Sequence, residues 1–153
     1  MALNREEIYQ ALLNRLKTVP GFVTCSRQWK VWDDVAPVEQ PAIFLPHGNE
    51  SVTQVKGLPP AWRLTPVLWI YCRTDQDPDL PGGTTLAQLV QAVEAALERQ
   101  PDEQGGYALP DTFGTTLGGL VAHCWIEGPI VTDEGILGGQ AVAQIPLEIL
   151  ATA

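Results

Sequence analysis

Two segments of the chain place apolar residues at helical spacing, with polar residues between them. In the first segment Asn4 precedes Glu7 by three residues, which is typical of a helix N-terminal cap. The second segment follows Thr84 and Thr85, either of which can cap a helix, and Pro101 ends it. The pattern predicts two amphipathic helices, with apolar residues Ile8, Leu12, Leu16 and Val19 in the first and Leu86, Leu89, Val90, Val93 and Leu97 in the second.

Five other segments show alternating or short apolar runs of the kind that strands have. They cover residues 22–27, 41–45, 62–73, 120–131 and 140–150. The last two are separated by residues 133–139, which contain three glycines, and this pair is predicted to form a hairpin. Pro66, Pro129 and Pro146 lie within three of these segments. Because proline cannot donate to a ladder, each of the three strands is predicted to be bulged, or open on one side, at its proline.

The order of these elements predicts the fold class. Two helices with single apolar faces can both pack on one side of an antiparallel sheet. We expect an α+β fold in one domain over residues 1–153: a mostly antiparallel twisted sheet of about five strands, with two helices packed on one face. In the long strand at residues 62–73, Trp69 and Tyr71 point to the opposite face. That second face then needs another surface, which we expect a neighbouring subunit to supply.

Residues 47–61 are the longest connection without a clear period, and they include two glycines and a proline pair. Connections of this kind in compact domains are usually functional or disordered. Three large apolar residues are too few to anchor the segment against an ordering cost of about 1 to 2 kcal/mol for each residue. The segment is therefore predicted to be a loop or projecting arm that contacts a partner. Its candidate contact residues are Val52, Val55, Leu58, Pro59 and Pro60, to which Trp69 and Tyr71 of the sheet are added.

Three aspartates at alternate positions, Asp75, Asp77 and Asp79, follow the long strand and suggest a calcium loop. An EF-hand loop that opened at Asp75 would need glycine at its sixth position and glutamate at its twelfth. The sequence has Leu80 and Leu86 at those positions. We therefore interpret the aspartates as part of a solvated turn and predict no metal site.

Residues with catalytic chemistry are few and scattered. The three cysteines occur singly, which argues against a zinc site and a disulfide framework. His47 and His123 are the only histidines. His123 precedes Cys124 directly, but adjacent strand residues point to opposite faces, so they cannot form a thiolate–imidazole pair. No glycine-rich stretch matches a nucleotide-binding motif. The chain is therefore expected to have no catalytic residue and no cofactor.

Charge and hydropathy limit the possible partners. The chain of 153 residues has 9 basic and 18 acidic residues, a formal net charge of −9, and no cluster of Lys or Arg. This pattern disfavours binding to nucleic-acid phosphates. No apolar run approaches the length of a membrane span, and charged residues precede the first apolar stretch. We therefore expect neither a transmembrane segment nor a signal peptide, and a cytoplasmic protein.

The order of the elements resembles the tail terminator proteins of long-tailed bacteriophages, which include the minor tail protein U of lambdoid phages. The stretches that carry the resemblance are REEIYQALLNRL, QPAIFL, WRLTPVLWIYCRT, the Asp/Pro/Gly loop into LAQLVQAVEAAL, and the C-terminal hairpin. The resemblance spans nearly the whole chain and rests on pattern and order. It implies a small α+β subunit that assembles into a six-fold ring on the head-proximal end of the tail tube.

Such a ring stops tube polymerisation and presents a surface to the neck of the capsid. The resemblance thus implies four partners or neighbours: other copies of the chain, the tail tube protein, a neck or head-completion protein, and DNA that passes through the channel without specific binding. The protein would be assembled in the host cytoplasm and reside in the virion. Two other functions remain open from the sequence, namely a neck or other tail-assembly subunit and an α+β ligand-binding or enzymatic domain.

Overall fold

Both predicted helices form. The computed structural model of the chain describes residues 3–74, 82–99, 103, 114–137 and 139–152. Helix α1 spans Arg5–Leu16, and its cap is the predicted one, because Asn4 Oδ1 accepts a hydrogen bond from Glu7 N at 3.1 Å. Helix α2 spans Gly82–Ala96. It begins before Thr84 and Thr85, so these residues lie in its first turn and the prediction that one of them is the cap is wrong.

In the described residues eight strands form, where about five were expected. They are β1 Thr24–Ser26, β2 Ala42–Phe44, β3 Asn49–Thr53, β4 Ala61–Thr65, β5 Val67–Arg73, β6 His123–Ile126, β7 Val131–Leu137 and β8 Gln140–Thr152. All described pairings are antiparallel except that of β1 with β2, which is parallel. The class is therefore α+β as predicted, and the sheet is mixed.

The long strand β8 organises the sheet. Leu64 of β4 pairs with Ile149, and Leu68 of β5 pairs with Ile145, so β4 and β5 follow one edge of β8 in a single register. This agrees with one predicted strand at residues 62–73 that is interrupted at its proline. The other edge of β8 carries β6 and β7. Outside β8, β2 pairs with β5 and β3 pairs with β4.

The breaks in the ladders coincide with prolines. Pro66 lies between β4 and β5, and its carbonyl still accepts from Leu147 N at 2.9 Å. Pro146 of β8 accepts from Glu127 N at 3.1 Å, at the point where β6 has ended and β7 has not begun. Gly128 lies in that gap with a φ of +110°, which favours glycine. The predicted strand at residues 120–131 is therefore wrong in extent, because it holds β6 and only the first residue of β7, Val131. Most of β7 lies in residues 133–139, which were predicted to be the turn of the hairpin. The chain bulges away from β8 between the two strands.

The main core lies between the helices and one face of the sheet. Every second residue of β8 from Ala141 to Ala151 faces this core, and both helices place their apolar stripes on it. Fully buried large side chains on this side include Leu12, Leu16, Leu64, Leu68, Ile70, Leu86 and Ile145. Each contributes about 1.5 to 3 kcal/mol relative to an exposed position. Both helices therefore cover the same face, as predicted.

The second face of the sheet is partly covered by the chain itself. Tyr71, only 1% exposed, packs with Val35, Phe44 and Val142 in a smaller apolar cluster. The expectation that this face is bare is therefore wrong at Tyr71. The cover comes from residues 29–40, a connection between β1 and β2 that contains two short 3-10 helices, Trp32–Asp34 and Pro37–Glu39.

The burial of the three cysteines predicts which thiols react with a reagent in the folded protein. Burial raises the pKa of Cys72 to about 11 and that of Cys124 to about 12. Because the thiolate is the reactive form, both groups are protected at neutral pH. Burial also raises the pKa of Cys25, but this residue is only partly buried and is therefore the most accessible of the three thiols. We expect a disulfide reagent such as dithionitrobenzoate to label Cys25 alone in the folded protein, and all three after denaturation. Native labelling that persists in a Cys25→Ser variant would contradict this.

Candidate functional site

An apolar groove lies on the second face of the sheet. It has a volume of about 400 Å3, and its main apolar lining is Trp29, Val31, Trp32, Trp69 and Val131, a set named here the aromatic groove. Four elements build it: the connection between β1 and β2, strand β5, strand β7 and strand β8. Four of these residues are each more than a third exposed, namely Trp29, Val31, Trp32 and Val131. An apolar surface of this kind on a soluble protein is typical of a binding site.

Hydrogen bonds fix the walls of the aromatic groove. The Tyr71 hydroxyl donates to the Lys30 carbonyl at 3.0 Å, and burial raises the pKa of this hydroxyl, which keeps it a donor. Gln140 Nε2 donates to the Trp32 carbonyl at 3.1 Å. The rings of Trp29 and Trp69 meet edge to face, with centroids 5.4 Å apart. The groove is therefore formed within one subunit, without a partner.

A second exposed apolar surface lies on the β3–β4 hairpin. All five residues of β3 are exposed, so the predicted arm contains a strand that pairs with β4 at the edge of the sheet. Leu58 N donates to Val55 O at 2.9 Å, and Gly57 supplies the positive φ of this turn. Val52, Val55 and Leu58 are 50%, 53% and 64% exposed. Residues 54–60 are named here the hairpin tip.

The base of the hairpin is bonded to α1. Arg5 donates from Nε and Nη2 to both carboxylate oxygens of Glu50, at 2.6 to 2.8 Å, and this holds the pKa of Glu50 below its usual value. Gly48 N donates to the Tyr9 hydroxyl at 3.2 Å. The Tyr9 ring stacks on His47 with centroids 4.2 Å apart. Only the tip of the predicted arm is thus left without contacts of this kind among the described residues.

A polar cluster on the second face of the sheet contains His123 of β6. Glu148 is buried and pairs with Arg63 Nε at 2.5 Å and with His123 Nε2 at 3.3 Å. A hydrogen bond with Glu148 raises the pKa of Glu127, which neighbours it. Cys124 is fully buried in the main core, on the opposite face from His123. The predicted separation of His123 from Cys124 is therefore confirmed, and the cluster stabilises the sheet.

Sequence reasoning missed a buried carboxylate, Glu103. Its side chain is 3% exposed and receives a charged hydrogen bond from Arg15 Nη2 at 2.6 Å. Thr115 Oγ1 donates at 2.6 Å, Thr116 N at 2.6 Å and Thr116 Oγ1 at 2.9 Å. The residue thus ties the last turn of α1 to the segment before β6. No sequence signal distinguishes it, because it belongs to a polar stretch without a period.

Neither a metal centre nor a membrane helix is found in the described parts of the chain. No three His, Cys, Asp or Glu side chains among those residues are grouped as metal ligands would be. Asp75, Asp77 and Asp79 lie outside the described residues, so the prediction for them stays a prediction. Likewise, neither α1 nor α2 has the length and apolar character that a bilayer span requires.

Comparison with known proteins gives a likeness of fold. Neither the family models nor the curated proteins give a match. Among solved structures, a chain of the "Virion of native gene transfer agent (GTA) particle" matches with a TM-score of 0.60 at 10% sequence identity. The match covers 95% of this chain and 95% of that chain. The two chains therefore share a fold over nearly their whole lengths.

Proposed function

We propose that the chain is a structural tail terminator of a phage or prophage particle. It forms a six-membered ring on the head-proximal end of the tail tube and stops tube polymerisation. The ring contacts the tail tube protein on one side and a neck or head-completion protein on the other. The subunit is assembled in the host cytoplasm, resides in the virion, and acts without catalysis or a cofactor.

The likeness of fold to a chain of a gene transfer agent virion carries this proposal. It extends over 95% of both chains, so it concerns the whole architecture rather than one motif. The resemblance to tail terminators, which rests on the order of helices and strands, points to the same kind of particle. A shared fold alone leaves the role open. The surface of this subunit therefore supplies the second argument.

The surface of the subunit suits self-assembly. The aromatic groove and the hairpin tip both expose large apolar side chains. Such surfaces on a soluble subunit commonly lie in interfaces. Val52, Val55, Leu58, Pro59, Pro60 and Trp69 therefore remain proposed contact residues, whereas Tyr71 contributes from beneath the groove wall.

The acidity of the chain suits a ring around DNA. A formal net charge of −9 on each subunit would repel the phosphates of the passing genome. DNA would then cross the channel without binding to its wall. The negative charge also disfavours a role in packaging the genome by phosphate neutralisation, which requires basic surfaces.

Electron microscopy of particles that lack the protein tests the proposal. We expect deletion of the gene to give tails of abnormal length without joined heads, and a plasmid copy to restore normal particles. The matched control is a plasmid copy with an early stop codon. Tails of normal length beside unjoined heads would instead identify a neck or head-completion subunit. Normal particles would exclude both functions.

A further inference from the structure

We propose that the hairpin tip of one subunit inserts into the aromatic groove of the next subunit in the ring. This inference rests on the proposed ring, and it names the two surfaces that form the contact between neighbours. The tip presents Val55 and Leu58 beside the turn at Gly57. The groove presents two tryptophans of the connection between β1 and β2 and Val131 of β7.

The charges of the two surfaces are complementary. Lys56 lies at the turn of the hairpin tip, between Val55 and Leu58 in the sequence, and is exposed. Asp33 and Asp34 follow Trp32 directly and are exposed, and Asp133 lines the groove. An apolar tip with one cation is thus matched to an apolar groove with acidic neighbours, and the cation that flanks Trp29, Lys30, is already paired with Glu39 at 3.1 Å. Opposite charges at the rim of an interface favour encounter and fix its register.

The tip cannot reach the groove of its own subunit. Ala61, where the hairpin tip joins β4, pairs with Thr152 at the C-terminal end of β8. The groove lies along β8 at Val142 and Gln144. Eight residues of strand separate Gln144 from Thr152, which is about 26 Å at about 3.3 Å per residue. Since β4 runs antiparallel to β8, the tip continues past the end of β8 and away from the groove.

A contact between two different surfaces has a consequence for symmetry. When each subunit donates a tip at one end and accepts a tip at another, the contact is heterologous. Heterologous contacts close into rings when the rotation between subunits allows it. The same pair of surfaces therefore accounts for a ring without any further interface. A reciprocal exchange of tips would instead give a closed two-fold dimer.

Disulfide trapping tests the contact in the full-length chain. A Cys25→Ser background removes the partly buried native thiol, and Val55→Cys and Val131→Cys are added to it. Both valines are 53% exposed, so we expect the folded subunit to tolerate the changes. Under mild oxidation we expect disulfide-linked dimers, trimers and larger species up to the size of the ring. The matched control pairs Val55→Cys with Val23→Cys, an exposed position outside the groove, and should stay monomeric on a denaturing gel.

Native mass spectrometry of the unmodified chain separates the two proposals. A ring in the native spectra, together with a ladder of disulfide-linked oligomers on the gel of the test variant, supports both proposals. A ring without the ladder overturns the contact between tip and groove, leaves the ring intact, and gives the groove to another occupant such as the tail tube protein. Ladders that stop at the dimer, with a dimer in native spectra, support the contact and contradict the ring. Monomers at every concentration overturn the contact and the proposed self-assembly together.

Discussion

Changing Val55 and Leu58 together to serine should leave the subunit folded and abolish ring formation. Both side chains are more than half exposed, so their loss removes little burial from the folded subunit. In the proposed contact they become buried in the aromatic groove. The combined loss is then about 2 to 3 kcal/mol for each contact, which weakens it about 30- to 150-fold. Thermal denaturation measures the stability of the subunit, and native mass spectrometry with electron microscopy of tails measures ring formation.

The matched control changes Val23 and Val38 to serine. These residues are 64% and 83% exposed and line neither the tip nor the groove. The control should melt as the parent does and should also assemble as the parent does. Assembly of the Val55→Ser, Leu58→Ser variant at parental concentrations would show that the hairpin tip makes no essential contact.

Point changes at the tip are a sharper test than replacing the whole arm. A flexible linker in place of residues 48–58 would remove strand β3 and its pairing with β4. It would also remove Glu50, the partner of Arg5, and the Gly48 amide that donates to Tyr9. We therefore expect such a deletion to lower the free energy of unfolding as well as to impair assembly. The sequence predicted only a loop or projecting arm that contacts a partner, because the contacts at the hairpin base could not be foreseen from it.

Elements whose burial alternates along the chain could be predicted from the sequence. The stripes of α1 and α2 bury one face of each helix, and the strand through Leu64 and Leu68 turns every second residue to the main core. Strand β3 gave no such signal, because all five of its residues are exposed. It is a strand only because β4 pairs with it, and a pairing between residues such as Asn49 and Thr65 is not visible in either segment by itself.

Only some residues of the candidate site could be predicted from the sequence, for a related reason. Val55 and Leu58 were predicted to be contact residues because a short apolar set cannot anchor a long connection. Trp69 was predicted to lie on the second face from strand alternation. Trp29 and Trp32, by contrast, belong to a connection with no period, and only long-range contacts such as Tyr71 with Lys30 bring them to the sheet. Whether these residues form an interface stays a prediction.

Replacing Glu103 with alanine should cost more stability than the serine changes at the hairpin tip. The carboxylate accepts from Arg15, Thr115 and Thr116 in a site where its own side chain is 3% exposed. Removing one member of a buried charged pair leaves its partner uncompensated and costs about 3 to 5 kcal/mol. That is a large part of a typical folding free energy of about 5 to 15 kcal/mol. Urea denaturation of the variant measures the loss.

A matched control variant and a measurement of assembly separate the contribution of Glu103 to stability from a role in ring formation. Glu94 is an exposed carboxylate on α2, and Glu94→Ala should change stability by about 0.5 kcal/mol or less. Glu103→Gln keeps the shape of the side chain and one acceptor oxygen, so it should lose less than Glu103→Ala while remaining folded. Because Glu103 lines neither the tip nor the groove, the glutamine variant should still form rings below its melting temperature. A glutamine variant with parental stability that failed to assemble would instead assign this buried carboxylate to an interface.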